Sequence, residues 1–200
     1  GATLVALILV IWLRWPEDQP LTAAATTVSG ALYTGGTLSF WILLRALPEQ
    51  SSDTATAFHG AILLIFPIWV TWIGDSFAYG LGTRFGKSKL IELVSPNKTI
   101  IGSFGGILGS MIVGALYAWL WLSDVPVYGL SIMGAVVVSL FIAVVGQLGD
   151  LSESVLKREV GVKDSSNLLP GHGGALDRLD SLYFTVPFTY LLLVLIQYWS

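Results

Sequence analysis

Five long apolar runs limit what this chain can become: approximately Thr22–Leu47, Thr54–Tyr79, Gly102–Leu122, Pro126–Leu148 and Leu182–Trp199. A helix needs about 20 mostly apolar residues to cross the hydrocarbon of a bilayer, where it alone among open structures satisfies its own backbone hydrogen bonds. A sixth run, Ala2–Trp15, is shorter and reads as the end of a truncated span. It has neither the basic start nor the cleavage site of a signal peptide. The expected fold is therefore all-α, a polytopic transmembrane helix bundle with about six hydrophobic segments and two polar loops.

Composition agrees with that reading. Only 12% of the residues are charged, against about 25% in a soluble domain. Mean hydropathy is +0.75. Cysteine is absent, which excludes disulfides, thiolate-bound zinc and thiol catalysis. With two histidines, His59 and His172, a His-rich metal site is not expected. Any metal should be a hard cation held by oxygen, magnesium above all. Small residues inside the runs, as in Ser29-Gly30-Ala31 and Gly105-Gly106, allow close helix approach and one packed bundle. Pro67 and Pro187 are expected to kink their helices.

Charge placement sets the topology. Arg84, Lys87, Lys89 and Lys98 lie in the connection 80–101, and Lys157, Arg158, Lys163 and Arg178 in the connection 149–181. Two spans separate these connections, so they share a face, which the positive-inside rule makes cytoplasmic. The opposite connections, Pro48–Asp53 and Ser123–Pro126, hold acids and no cations. Arg14 and Arg45 read as snorkelling span ends. The tryptophans read as interface-belt residues and His59 as structural.

The stretch Asp150–Asp180 carries the chemistry. Asp150, Ser154, Lys157 and Arg158 follow at i, i+4, i+7 and i+8, which places a carboxylate, a hydroxyl and two cations on one helical face. A solvated helix end with topology-anchoring cations is the bland alternative. Lys163-Asp164-Ser165-Ser166-Asn167 is turn-forming and leads to Pro170-Gly171-His172-Gly173-Gly174. Glycines allow close backbone approach, and successive N–H groups can cradle an anion; a plain surface loop is the alternative. His172 is a general acid or a loop hydrogen-bonder. Asp177 and Asp180 share a face at the start of the last span, where acids are also simply favourable at a helix N-terminus. Carboxylates from separate helices can hold a cation that bridges to substrate phosphates.

Upstream, Asp75 ends an apolar run, and an ionisable residue at a membrane edge is a functional candidate by default. Arg84, Lys87 and Lys89 form a basic loop that also suits anionic headgroups. Ser95-Pro96-Asn97-Lys98-Thr99 reads as a rigid turn offering a cation and hydroxyls to a phosphate. No P-loop pattern occurs.

These motifs resemble one family. Ser154-x-x-Lys157-Arg158, Lys163-Asp164, His172-Gly173-Gly174 and Asp177-Arg178-x-Asp180 match, in order and spacing, the signature of phosphatidate cytidylyltransferases, the CDP-diacylglycerol synthases. Gly74-Asp75-Ser76-x-Ala78-Tyr79, Gly86-Lys87 and Ser95-Pro96-x-Lys98-Thr99 are similar to that family too. The likeness covers residues 70–200; residues 1–69 match only as hydrophobic spans. Ala175 stands where the family carries a larger aliphatic residue, and Asn97 where lysine is commoner.

The resemblance implies cytidylyl transfer from CTP to phosphatidic acid, giving CDP-diacylglycerol and pyrophosphate. It implies Mg²⁺, with a second cation left open, on Asp150 and Asp177, with Asp75 as a weaker candidate. Lys157, Arg158, Lys163 and Arg178 would neutralise phosphates as the catalytic cations. Ser95, Lys98, Thr99, Ser154, Asp164, His172, Gly173, Gly174 and Asp180 would bind substrate. It further implies one integral-membrane domain over 1–200, with N-terminal spans in 1–69, truncated, and the catalytic region in 70–200. The location would be a bacterial inner membrane with the site on the cytoplasmic face. CTP, phosphatidic acid and membrane lipids are the expected partners, nucleic acid is not, and a homodimer is plausible from the small-residue spans. Asp177→Asn is expected to abolish turnover with little loss of folding. The alternatives are a CTP-dependent enzyme with another lipid acceptor, such as a CDP-archaeol synthase or polyprenol kinase, and a transporter. The His-Gly-Gly and Asp-Arg motifs argue against a kinase. Charges gathered at one face argue against a transporter.

Overall fold

The structure is a computed structural model and describes residues 5, 7–9, 19–166 and 173–199. The run Ala2–Trp15 and His172 thus fall wholly or largely outside the described residues. Helix α1, Pro20–Ala31, starts on a proline, whose fixed φ suits a first turn and whose missing N–H has no partner there anyway. It continues through a π turn, Leu32–Gly36, into α2, Thr37–Ser51. The expected single run Thr22–Leu47 is therefore interrupted. The cause is local: Thr34 Oγ1 donates to Gly30 O at 2.8 Å and Thr37 Oγ1 to Tyr33 O. Hydroxyls that bond back to the preceding turn, beside Gly35 and Gly36, weaken the regular ladder.

Helix α3, Ala57–Phe85, is closed at its start by a reciprocal cap in which the Thr56 and His59 side chains each bond the other's backbone end. This accounts for His59 as a structural residue. A two-stranded antiparallel hairpin follows, β1 Lys89–Ile91 and β2 Ser95–Thr99, with Lys89 opposite Thr99 and Ile91 opposite Ser95. The segment read as a turn, Ser95–Thr99, is thus a strand. Pro96 is tolerated because in a pair of strands each has a free edge. Helix α4, Ile100–Leu120, is capped by Thr99, whose Oγ1 accepts from Gly102 N at 3.1 Å. Helix α5, Ile132–Glu159, is capped by Ser131 and carries the apolar run on through Asp150, Ser154, Lys157 and Arg158, as their helical spacing implies. Gly161 then stops it at φ 73°, a conformation that favours glycine. A short turn of helix, α6 Leu176–Leu179, leads into α7, Leu182–Trp199. Helices α3 and α7 run through Pro67 and Pro187 as single elements.

Among the described residues four helical stretches are long and apolar enough to cross a membrane: Ala57–Phe85, Ile100–Leu120, Ile132–Glu159 and Leu176–Trp199. Their shared core includes Leu44, Leu63, Phe66, Val70, Ile142 and Val186. Tyr117 reaches into it, tilted against the Phe66 ring at 5.6 Å, and donates its hydroxyl to Ile62 O at 2.8 Å. Outward-facing Trp69, Trp72, Phe104, Leu108 and Trp119 are exposed, as lipid-facing residues should be.

Glycine sets the helix spacing. A Cβ on Gly109 of α4 would lie 2.5 Å from the Phe77 ring of α3, and one on Gly105 the same distance from Leu81. Those are distances no side chain tolerates, so α3 and α4 approach as closely as they do only because these positions are bare. The two cationic connections meet at one end of the bundle, where Arg158 Nε donates to Val94 O of the hairpin at 3.4 Å. At the other end Ser51 Oγ and Tyr128 OH are 3.0 Å apart, and the Tyr128 hydroxyl bonds the Gln197 side chain.

Candidate functional site

The polar end of the bundle is built from α3, β2, the extension of α5, the loop after it and the start of α6 and α7. Two ion pairs organise it. Lys98 on β2 lies 2.6 Å from Asp150 Oδ2 on α5. Lys157, two turns further along α5, donates to Asp177 Oδ1 at 2.7 Å and lies 3.2 Å from Glu153 Oε1. The helical periodicity explains the second arrangement. Glu153 and Lys157 are i, i+4, so the lysine head reaches back to its own helix while pointing toward α6.

Asp177 is a hub. Its Oδ2 accepts from Ser165 N at 2.8 Å, Ser165 Oγ at 2.7 Å and Gly174 N at 2.7 Å. A Cβ on Gly173, which sits at φ 76°, would lie 2.8 Å from that same oxygen. Of the glycine loop's described residues, Gly174 donates its N–H to an anion, and that anion is the chain's own carboxylate. One carboxylate thereby ties the loop after α5 to α6.

Asp180 reaches the site because α7 can press against α5. A Cβ on Gly149 would lie 2.8 Å from the Phe184 ring and 3.1 Å from Asp180 O. Asp180 Oδ1 accepts from Ser181 N at 2.6 Å. Asp75, Asp150 and Asp180 stand near enough to act on one another electrostatically, with Lys98 acting on the same group. Asp75 also lines a crevice between α3, α4 and α5 with Thr71, Gly74, Gly106, Ser110, Gly146 and Gln147. Gln147 Nε2 donates to Ser103 O at 3.1 Å and so joins α5 to α4.

The expected site residues divide into groups. Asp75, Lys98, Asp150, Lys157, Asp177 and Asp180 come together. Ser154 Oγ makes only a long contact, 3.4 Å, to Asp150 Oδ1. Arg158 is directed to backbone, with Nη1 donating to Val162 O at 3.1 Å. Thr99 is buried and serves as the α4 cap. Ser95 lies on β2 at the hairpin's pairing edge, opposite Ile91. Lys163 and Asp164 are exposed on the loop, and Arg178 is exposed on α6. Gly173 and Gly174 shape the Asp177 cradle, and His172 lies outside the described residues.

The residue-by-residue reading missed two contributors. Glu153 is 1% exposed, and among the described residues neither carboxylate oxygen makes a hydrogen bond beyond its ion-pair contact with Lys157. Its spacing to Asp150 and Lys157 was the available signal. Ser165 supplies two of the Asp177 bonds, and nothing in its loop context marked it out from Ser166.

Among the described residues no group of three or more His, Cys, Asp or Glu side chains forms a ready-made metal cage. A hard divalent cation does not require one, since magnesium is commonly held by one or two carboxylates together with water and substrate phosphates. Asp75, Asp150 and Asp180 fit that pattern by charge: three carboxylates act on one another there, and Lys98 is the lysine closest to Asp150. Asp177 fits it less well, because both of its oxygens already have donors.

Comparison with known proteins agrees with the motifs. A phosphatidate cytidylyltransferase of Bacillus subtilis is 40% identical over 165 residues, covering 82% of this chain and 56% of that relative. Relatives of the same name from Synechocystis and Haemophilus influenzae are 36% and 42% identical, over 96% and 92% of this chain. The chain spans 69% and 62% of their lengths. The sequence pattern of the cytidylyltransferase family matches residues 2–196, reaching toward the N-terminus well beyond the region 70–200 in which the motifs lie. A pattern that runs through both polar connections and the apolar helices between them leaves one conclusion: the chain belongs to the cytidylyltransferase family.

Proposed function

We propose that this chain carries the catalytic part of an enzyme that transfers the cytidylyl group of CTP to phosphatidic acid, releasing pyrophosphate and leaving CDP-diacylglycerol in the membrane. The observation that carries this reading is the gathering of Lys98, Asp150, Lys157 and Asp177 at one end of an apolar bundle. There a soluble nucleotide and an interfacial lipid phosphate can meet. The names of the relatives supply the two substrates.

In the reaction an oxygen of the lipid phosphate forms a bond to the α-phosphorus of CTP. The bond from that phosphorus to the bridging oxygen of pyrophosphate breaks. A phosphate is already a nucleophile at neutral pH, so the chain need not supply a strong base. Its contribution is positioning and charge neutralisation. Lys157, fixed between Glu153 and Asp177, is pre-aimed and loses little freedom on meeting a phosphate. Lys98, Lys163 and Arg178 are the further cations for the nucleotide and lipid phosphates. Asp150 with Asp75, and Asp177 or Asp180 beside them, would hold Mg²⁺, whose chemistry there is neutralisation of the charge growing on the departing pyrophosphate. The polar end then faces the cytoplasm of a bacterial inner membrane, in keeping with its lysines and arginines. A homodimer through the small-residue helix faces is part of the same proposal.

The test is transfer of radiolabel from the α-phosphate of CTP to lipid by the full-length protein in detergent. The reaction is run with phosphatidic acid and Mg²⁺, and again with EDTA. A labelled lipid that needs both phosphatidic acid and Mg²⁺ is expected. Label that appears with a polyprenol or archaeol-type acceptor but never with phosphatidic acid would overturn the substrate assignment.

A further inference from the structure

The two lysine–carboxylate pairs are not equivalent. If Lys157 turned away, Asp177 would keep its bonds from Ser165 and Gly174. If Lys98 turned away, Asp150 would retain, among the described residues, only the long contact from Ser154 and would face Asp75 and Asp180. Lys98 is therefore what neutralises Asp150 among the described residues. Its Nζ is buried and, among the described residues, makes no hydrogen bond of good geometry, although it lies 2.6 Å from Asp150 Oδ2. An ammonium has three donors, so Lys98 retains donor capacity pointed into the site. Its backbone is fixed by β2 and the adjacent Thr99 cap, while its four-carbon stem can swing.

We propose that Lys98 is a tethered counter-ion of Asp150, which it releases to a divalent cation only when nucleotide phosphates draw the lysine away. The proposal rests on the reading of Asp150 as a cation ligand. An ammonium at Asp150 and a divalent cation on the same carboxylate repel at close range, and the divalent charge doubles the effect. Phosphate oxygens offer Lys98 an alternative charge-assisted partner. Nucleotide binding then exposes Asp150, and by linkage a cation on Asp150 favours nucleotide binding to the same degree. Lys98 thus discriminates against the cation alone and the nucleotide alone, and favours the two together.

The experiment follows Mn²⁺ binding to the full-length protein in detergent by loss of the free-ion paramagnetic resonance signal, with and without CTP and with no lipid acceptor. Lys98→Gln is expected to bind Mn²⁺ about tenfold more tightly than wild type without CTP, and to gain less from CTP. Lys98→Arg keeps the charge and should bind as wild type does. Asp150→Asn should lose this binding in either background. If Lys98→Gln binds Mn²⁺ no more tightly than wild type while Asp150→Asn abolishes binding, the counter-ion role is overturned and the ligand reading stands. If Asp150→Asn leaves binding intact, the ligand reading falls and takes the proposal with it. Thermal unfolding guards against a folding artefact. Mn²⁺ should stabilise Lys98→Gln more than wild type, and equal stabilisation counts against the proposal.

Discussion

Asp177 shows how much one carboxylate can organise. It bonds a lysine on α5, both polar groups of Ser165 and the N–H of Gly174. From the sequence, Asp177→Asn should abolish turnover with little loss of folding. The bond network changes the second half of that expectation. An amide at this position leaves Lys157 with Glu153 alone and sets an N–H₂ group or a weaker acceptor against three donors. We expect a loss of about 3 kcal/mol in stability, the range for removing one partner of a largely buried pair. Turnover should fall by about a hundredfold or more. Thermal unfolding and initial rates on the same sample check both, and an unchanged melting temperature would show that the hub is not formed. Ser165→Ala removes one hydroxyl bond and keeps the backbone one, so it should cost about 1 kcal/mol.

At the scale of elements, glycine positions set which helices can deliver their carboxylates. Gly149 lets the start of α7 lie against α5, and so brings Asp180 beside Asp150. Gly149→Ala should push that helix start away from the Phe184 contact and lower turnover by more than about tenfold, the scale of loss that misplacement of a site by an ångström produces. Circular dichroism should show unchanged helix content. Gly80→Ala is the matched control, since a Cβ there meets nothing within 4 Å. Retained activity in the first variant would mean that the α5–α7 spacing does not govern the site. Thr99→Val deletes the α4 cap and should destabilise by about 1 kcal/mol, read as a lower melting temperature.

For the whole molecule, both cation-bearing connections lie at one end of the bundle, and the contact between Ser51 and Tyr128 marks the other. The chain has no cysteine, so single-cysteine variants report topology without background. A cysteine at Lys89 or Lys163 should react with a membrane-impermeant maleimide only in inside-out vesicles. One at Asp53 should react only in intact cells or right-side-out vesicles. Labelling of Lys89 and Lys163 cysteines from opposite sides would break the shared-face topology.

Some of this was determined by the sequence alone. Hydropathy required an all-α membrane bundle because backbone groups cannot go unbonded in hydrocarbon. Charge distribution put the two polar connections on one side, because two spans lie between them. The spacing of Ser154, Lys157, Asp177 and Asp180 marked the family and the candidate site. Other features belong to the tertiary structure, because they depend on which side chains meet across elements distant in the chain. The π turn at Leu32–Gly36 and the strand at Ser95–Thr99 interrupt patterns that read smoothly as a span and a turn. The pairing of Lys98 with Asp150 joins residues on a hairpin and a helix, and no periodicity relates them. Glu153 went unremarked in the sequence, and only packing shows it buried behind Lys157. Local pattern can place a charge at the membrane border, but the partner that neutralises it is chosen by which elements distant in the chain meet there, as Lys98 of the hairpin meets Asp150 of α5.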